Sequence, residues 1–91
     1  MTSLSTPGDR AARGRRTAAA VRQVLRSAGF PLLRPDQDAP VGAWVHANGY
    51  RDGEAVVQVL GSHKEFLRAR EVLQERWLVR FDRLGQVWVV S

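Results

Sequence analysis

Arginines near the amino terminus are the residues whose type and spacing best suit a chemical role. The segment RAARGRR, residues 10–16, places four arginines within seven positions. Guanidinium groups bind phosphate oxygens and displace the counterions of a polyanion, so this cluster predicts contact with a nucleic-acid backbone. Two more arginines continue the pattern along a predicted helix. The predicted nucleic-acid-binding residues are Arg10, Arg13, Arg15, Arg16, Arg22 and Arg26.

The charge of the chain is concentrated in its first third. Residues 1–29 hold six arginines against one acid, whereas residues 30–91 hold eight basic and eight acidic residues. The formal net charge of +5 therefore belongs entirely to residues 1–29. Any polyanion footprint is expected at that end. The alternative interpretation is a solvated helix face or a solubility-enhancing tail.

Side chains for catalysis or metal binding are few. The only histidines are His46, within a predicted strand, and His63, at the start of a predicted helix. Asp36 and Asp38 lie in a proline-bounded loop, and no phosphate-binding glycine motif or nucleophile elbow is present. The absence of cysteine excludes disulfides, thiolate zinc sites and cysteine nucleophiles. We therefore expect a protein that is not an enzyme and that has no cofactor and no metal.

Aromatic residues of the predicted strands offer a second kind of surface. Alternation along a strand places Trp44, His46 and Tyr50 on one face. In the last predicted hairpin Arg80 lies opposite Trp88, which allows a cation–π contact. The predicted partner surface consists of Trp44, Tyr50, Arg80 and Trp88. The alternative is that the first helix covers this face.

The first helix must position the arginines. Thr6 and Pro7 have the types typical of an N-cap and a first helical residue, but Gly8 and Gly14 weaken the first turns, so a firm helix is expected from about Arg15. Its apolar face contains Thr17, Val21, Val24, Leu25 and Ala28, and Arg15, Arg22 and Arg26 form a stripe away from it. We predict a basic, partly flexible N-terminal arm at 1–14 and a single α+β domain at 15–91. Whether residues 1–14 are helical or disordered stays open.

The remaining elements are two hairpins and a second helix. Asp52-Gly53, with Asn48-Gly49 as a competing turn, predicts strands at roughly 43–51 and 54–60. A capping box at Ser62–Glu65 starts a helix whose buried face contains Phe66, Ala69, Leu73 and Trp77 and whose solvated face contains Lys64, Arg68, Glu71 and Glu75. A hairpin with Gly85 in its turn closes the chain, and its predicted register pairs Asp82 with Gln86, Arg80 with Trp88 and Leu78 with Val90. The αββαββ order predicts an α+β fold with two helices packed on one face of a mainly antiparallel four-stranded sheet.

The segment VLQERWLVRFDRLGQVWVV resembles the recognition helix and wing of winged-helix DNA-binding domains. The resemblance covers about residues 63–90 and implies a winged-helix-like fold as the alternative architecture. Winged helices have a short helix and turn before the recognition helix, whereas this chain has AVVQVLG, a predicted strand. No residue role is carried over from the resemblance.

These patterns predict a small non-enzymatic binding protein, a nucleic-acid-contacting regulator or accessory factor that uses its basic arm and first helix. The alternative is a protein–protein adaptor or homodimer that acts through an exposed sheet edge or the aromatic face. DNA and RNA are not distinguished by sequence. With no apolar segment long enough to cross a membrane and no signal peptide, we expect a cytoplasmic protein without a membrane partner.

Overall fold

The computed structural model describes residues 7–47, 53–81 and 86–90, with the backbone alone for residues 7, 8, 10, 81 and 86–90. Two helices and an antiparallel sheet are present, which confirms the predicted α+β class. The elements in chain order are α1 (Pro7–Ser27), β1 (Gly42–Ala47), β2 (Ala55–Leu60), α2 (His63–Gln74), β3 (Leu78–Phe81) and β4 (Gln86–Val90).

The strands lie side by side in the order β1-β2-β4-β3. β1 pairs with β2, β2 with β4 and β4 with β3, in each case antiparallel. β2 directly precedes α2, at the position where a winged helix has a short helix instead. The chain therefore departs from the winged-helix pattern at the point that the sequence indicated.

The β1–β2 hairpin differs from the predicted one. Ala47 pairs with Ala55. Unbroken two-residue turns at Asp52-Gly53 or at Asn48-Gly49 would instead pair residue 51 with 54 or residue 47 with 50. The predicted turn residues 48–52 lie outside the described residues. In contrast, the predicted register of the last hairpin is confirmed, because Arg80 pairs with Trp88. Asp82 lies outside the described residues, so the predicted Asp82–Gln86 pair stays a prediction.

α1 begins at Pro7, eight residues before the firm helix that the sequence predicts. Gly14 lies inside it, and a Cβ on this residue would be 3.4 Å from the Glu54 carbonyl oxygen and 3.5 Å from the Ala47 Cβ. The glycine that weakens the helix in isolation thus lies where α1 meets the β1–β2 hairpin. The helix ends in the expected way: Gly29 has φ +89°, and Phe30 N–H donates to the Leu25 carbonyl at 3.0 Å.

α2 begins with the predicted cap. The Ser62 hydroxyl accepts from the Glu65 N–H at 3.4 Å, with Ser62 in an extended conformation. Ala69 and Leu73 are fully buried, and Phe66 and Trp77 pack against the core, which confirms the predicted apolar face.

One cluster of apolar side chains joins both helices to the sheet. The buried members are Ala18, Val21, Leu25, Phe30, Ala43, Val45, Ala55, Val57, Ala69 and Leu73. Within the described ranges, neither helix is long and apolar enough to cross a membrane.

Candidate nucleic-acid interface

Three of the predicted arginines project from α1 into solvent. Arg15, Arg16 and Arg26 are exposed. No ion pair joins any of the three to an acid in the parts of the chain that the structure describes. Each of these cations is therefore available to an external anion at no loss of an internal contact.

Arg13 is exposed as well, but its stem contacts the hairpin. A Cβ on Gly53 would be 2.6 Å from the Arg13 Cδ, so the aliphatic part of Arg13 lies directly over Gly53. The guanidinium group extends from this contact. Arg10 is part of α1, and its side chain lies outside the description. Residues 7–14 are thus helical, while the flexibility predicted for the arm 1–14 stays a prediction.

Arg22 has a role inside the fold. Its Nη2 donates to the Val45 carbonyl oxygen at 2.8 Å, and the residue is partly buried. Nearby, Leu33 N–H donates to the Ala43 carbonyl and Ala43 N–H donates to the Pro31 carbonyl, both at 2.9 Å. These bonds satisfy backbone groups on the outer edge of β1. Arg22 therefore anchors α1 to the sheet, in addition to lying on the predicted stripe.

The outer face of α1 carries small and polar side chains between the arginines. Arg16, Ala19, Ala20 and Gln23 are all exposed. Arg16 and Gln23 are seven residues apart, which places them on one face about 10.5 Å apart along the axis. Arg15 and Arg26 both lie on the same side of the line that joins Arg16 and Gln23.

A groove of about 400 Å³ separates the carboxyl-terminal half of α1 from α2. Its lining includes Gln23 and Ser27 from α1 and Val72 from α2, with Glu75 and Arg76 just after α2. Glu75 and Arg76 bring one charge of each sign to this half of α1. The first half of α1, by contrast, meets the sheet near Gly14, and the groove lining includes none of its residues.

The predicted aromatic surface is described in part. Trp44 is half-buried and its indole Nε1 is buried without an acceptor among the described residues. Its neighbours Ala43 and Val45 belong to the core cluster that α1 packs against. Because successive residues of a strand face opposite sides of the sheet, Trp44 lies on the other side, away from α1. The alternative that the first helix covers the Trp44 face is therefore wrong.

Arg80 lies on the same side of the sheet as Trp44. Its guanidinium Nη2 is 3.3 Å from Oε2 of the buried Glu54, an ion pair that the sequence did not indicate. Trp88 is opposite Arg80 in the register, but its side chain lies outside the description, as does the predicted cation–π contact. Tyr50 is outside the described residues.

Sequence reasoning missed Arg68, which it placed on the solvated face of the second helix. The guanidinium group of Arg68 donates to the Ala28 carbonyl oxygen, lies 4.4 Å from the centre of the Phe30 ring and is 3.5 Å from Glu65 Oε2. It thus joins α2 to the carboxyl-terminal end of α1. The contact could be found only by noting that a basic side chain can donate to the free carbonyl groups at the end of a helix. Helical periodicity within α2 does not show that Arg68 reaches the end of α1.

The histidines are not brought together with other reactive groups. His46 is exposed with Nδ1 3.2 Å from the Ala47 carbonyl oxygen, and the His63 ring stacks on Phe66. Over residues 7–47, 53–81 and 86–90, no group of three or more metal-binding side chains is found. No known protein family, no curated protein and no solved structure matches this chain.

Proposed function

We propose that this chain is a small non-enzymatic protein of the cytoplasm that contacts nucleic acid through α1, as a regulator or accessory factor. The proposal includes the finer architecture predicted from sequence, with both helices on one face of a four-stranded sheet. That arrangement leaves the outer face of α1 open to a large ligand.

One observation supports the proposal most directly. Arg15, Arg16 and Arg26 are exposed on one helix and have no ion-pair partner among the described residues. Elsewhere in the chain, Arg68 and Arg80 lie beside carboxylates, at 3.5 Å and 3.3 Å. Cations that lack internal partners, clustered on a rigid element, are what counterion release at a phosphate backbone requires.

Retention on heparin tests this function. We expect the unmodified protein to be retained and to elute in salt, and the triple variant Arg15→Gln/Arg16→Gln/Arg26→Gln to elute much earlier. On a DNA duplex, each lost phosphate contact should reduce the slope of log affinity against log salt by about 0.9, so the triple variant should lose a slope of roughly 3 there.

The matched control removes the same charge elsewhere. The variant Arg34→Gln/Lys64→Gln/Arg76→Gln also loses three positive charges, from residues that are exposed outside α1. If binding depends on α1, the control is retained nearly as well as the unmodified protein. Equal weakening by the two triple variants would show that retention depends only on net charge, and it would reject α1 as the interface.

A protein partner is the second candidate, favoured by one exposed apolar residue. Leu78 begins the edge strand β3 and is 75% exposed. An edge strand with an open apolar side chain can add a strand from another chain. Light scattering that finds a dimer stable at high salt, together with no heparin retention, would favour this candidate over nucleic acid.

A further inference from the structure

The types of side chain exposed on α1 are informative about which kind of nucleic acid it would bind. Its exposed side chains include none that are aromatic in the described residues; they are Asp9, Ala11, Arg13, Arg15, Arg16, Ala19, Ala20, Gln23, Arg26 and Ser27. Proteins hold single strands largely by stacking bases on aromatic rings. Arginine and glutamine on a helix are instead the side chains that contact base edges and phosphates of a duplex.

Groove dimensions separate the two kinds of duplex. The major groove of B-form DNA is about 12 Å wide and admits an α-helix, whereas the major groove of A-form RNA is too narrow for side chains to read. α1 contains 21 residues and is about 31 Å long, which is sufficient to follow such a groove.

The spacing of the outer residues matches a groove contact. Arg16 and Gln23 lie on one line about 10.5 Å apart, the rise of about three base pairs. Ala19 and Ala20 lie between them and are exposed, so the backbone of α1 can approach the floor of a groove. Arg15 and Arg26 both lie on one side of this line and are positioned for phosphates along one wall of the groove.

The anchoring of α1 keeps this geometry rigid. Gly14 lies close to the Glu54 carbonyl oxygen and Arg22 is hydrogen-bonded to the Val45 carbonyl, so the helix is held to the sheet at two points two turns apart. The side chains on the outer face are therefore presented at defined distances.

We infer that α1 binds in the major groove of double-stranded B-form DNA, with Arg16 and Gln23 toward the base edges and Arg15 and Arg26 toward phosphates. This inference rests on the proposed function and names its ligand.

Fluorescence anisotropy with three labelled probes tests the inference: a DNA duplex of about 20 base pairs, the RNA duplex of the same sequence and one of the DNA strands alone. We expect the DNA duplex to bind at least about tenfold more tightly than either other probe. Equal or tighter binding of the RNA duplex or the single strand overturns the inference but leaves the proposed function standing. Failure to bind heparin and all three probes rejects both.

A neutral substitution tests insertion into the groove separately from charge. Ala19→Trp fills the outer face of α1 and should weaken DNA-duplex binding about tenfold while heparin retention is unchanged, since the outer-face arginines remain. Gln74→Trp, on an exposed residue of α2, is the matched control and should change neither. Ala19→Leu, a good helix former, should give a smaller loss of the same kind if Ala19→Trp impairs folding. Unchanged duplex affinity in a folded Ala19 variant overturns the groove geometry.

Discussion

α1 and α2 pack into the same core but differ in how their charged side chains are used. α1 has six arginines and one acid, whereas α2 has Lys64, Arg68 and Arg70 with Glu65 and Glu71. Arg68 of α2 contacts a carbonyl, a ring and a carboxylate, all within the fold. In α1, Arg22 alone among the described arginines donates a hydrogen bond to another element.

This contrast separates two uses of arginine that composition cannot distinguish. A guanidinium group that donates to a main-chain carbonyl of another element, as those of Arg22 and Arg68 do, ties elements together and is partly desolvated. Arg15, Arg16 and Arg26 contribute nothing comparable to the described part of the fold. Their presence in α1 is therefore better explained by an external ligand or by solubility than by stability.

The largest expected effect tests whether α1 is as integral to the domain as α2. Leu25 of α1 and Leu73 of α2 are both at 0% exposure. Replacing either by alanine removes buried methyl groups and leaves a cavity, which should lower the free energy of unfolding by about 2–5 kcal/mol in each case. Urea denaturation followed by tryptophan fluorescence measures the free energy of unfolding of each variant.

Val41→Ala, at a residue 39% exposed, is the control and should lower the stability by less than about 1 kcal/mol. A Leu25→Ala loss as small as that of the control would show that α1 is a peripheral arm and not part of the core.

An intermediate effect is expected when the two anchoring arginines are changed. Arg22→Met and Arg68→Met retain most of the aliphatic stem but remove the donor to the Val45 or Ala28 carbonyl. Each should lower the free energy of unfolding by about 1–2 kcal/mol, since the acceptor loses a charged donor. The controls Arg15→Met and Arg26→Met should stay within about 0.5 kcal/mol of the unmodified protein. Equal losses at all four positions would remove the distinction between anchoring and available arginines.

Part of this architecture could be predicted from sequence because local chemistry determines it. The cap at Ser62, the buried Ala69 and Leu73 of α2 and the Arg80–Trp88 register follow from residue types close together in the chain. The β1–β2 register does not, since two glycine turns compete in the sequence and the observed pairing of Ala47 with Ala55 matches the register expected from neither.

The anchoring contacts were missed for a different reason. Arg22 meets Val45 across 23 positions and Arg68 meets Ala28 across 40, so neither contact leaves a periodic signal. For the candidate interface, the sequence identified the arginines and their stripe. It could not show that Arg22 is engaged within the fold, because the reach of a long side chain depends on the tertiary arrangement.

The smallest expected effect concerns the backbone of α1. α2 contains no glycine, whereas α1 has Gly14 in its interior, which should weaken the helix by about 1 kcal/mol relative to alanine. A Cβ at residue 14 would meet its neighbours at 3.4 and 3.5 Å, which is close to ordinary van der Waals contact. Gly14→Ala is therefore expected to raise the free energy of unfolding by about 0.5–1 kcal/mol in urea denaturation.

A larger side chain at the same position should have the opposite effect. Gly14→Leu would push α1 away from the Ala47 Cβ and the Glu54 carbonyl and should lower the stability by about 1–3 kcal/mol. If Gly14→Ala also destabilises the protein, the approach of α1 to the hairpin is tight enough to require glycine. In that case the residue that weakens α1 as an isolated helix is the one that allows the first half of α1, with its arginines, to be held against the sheet.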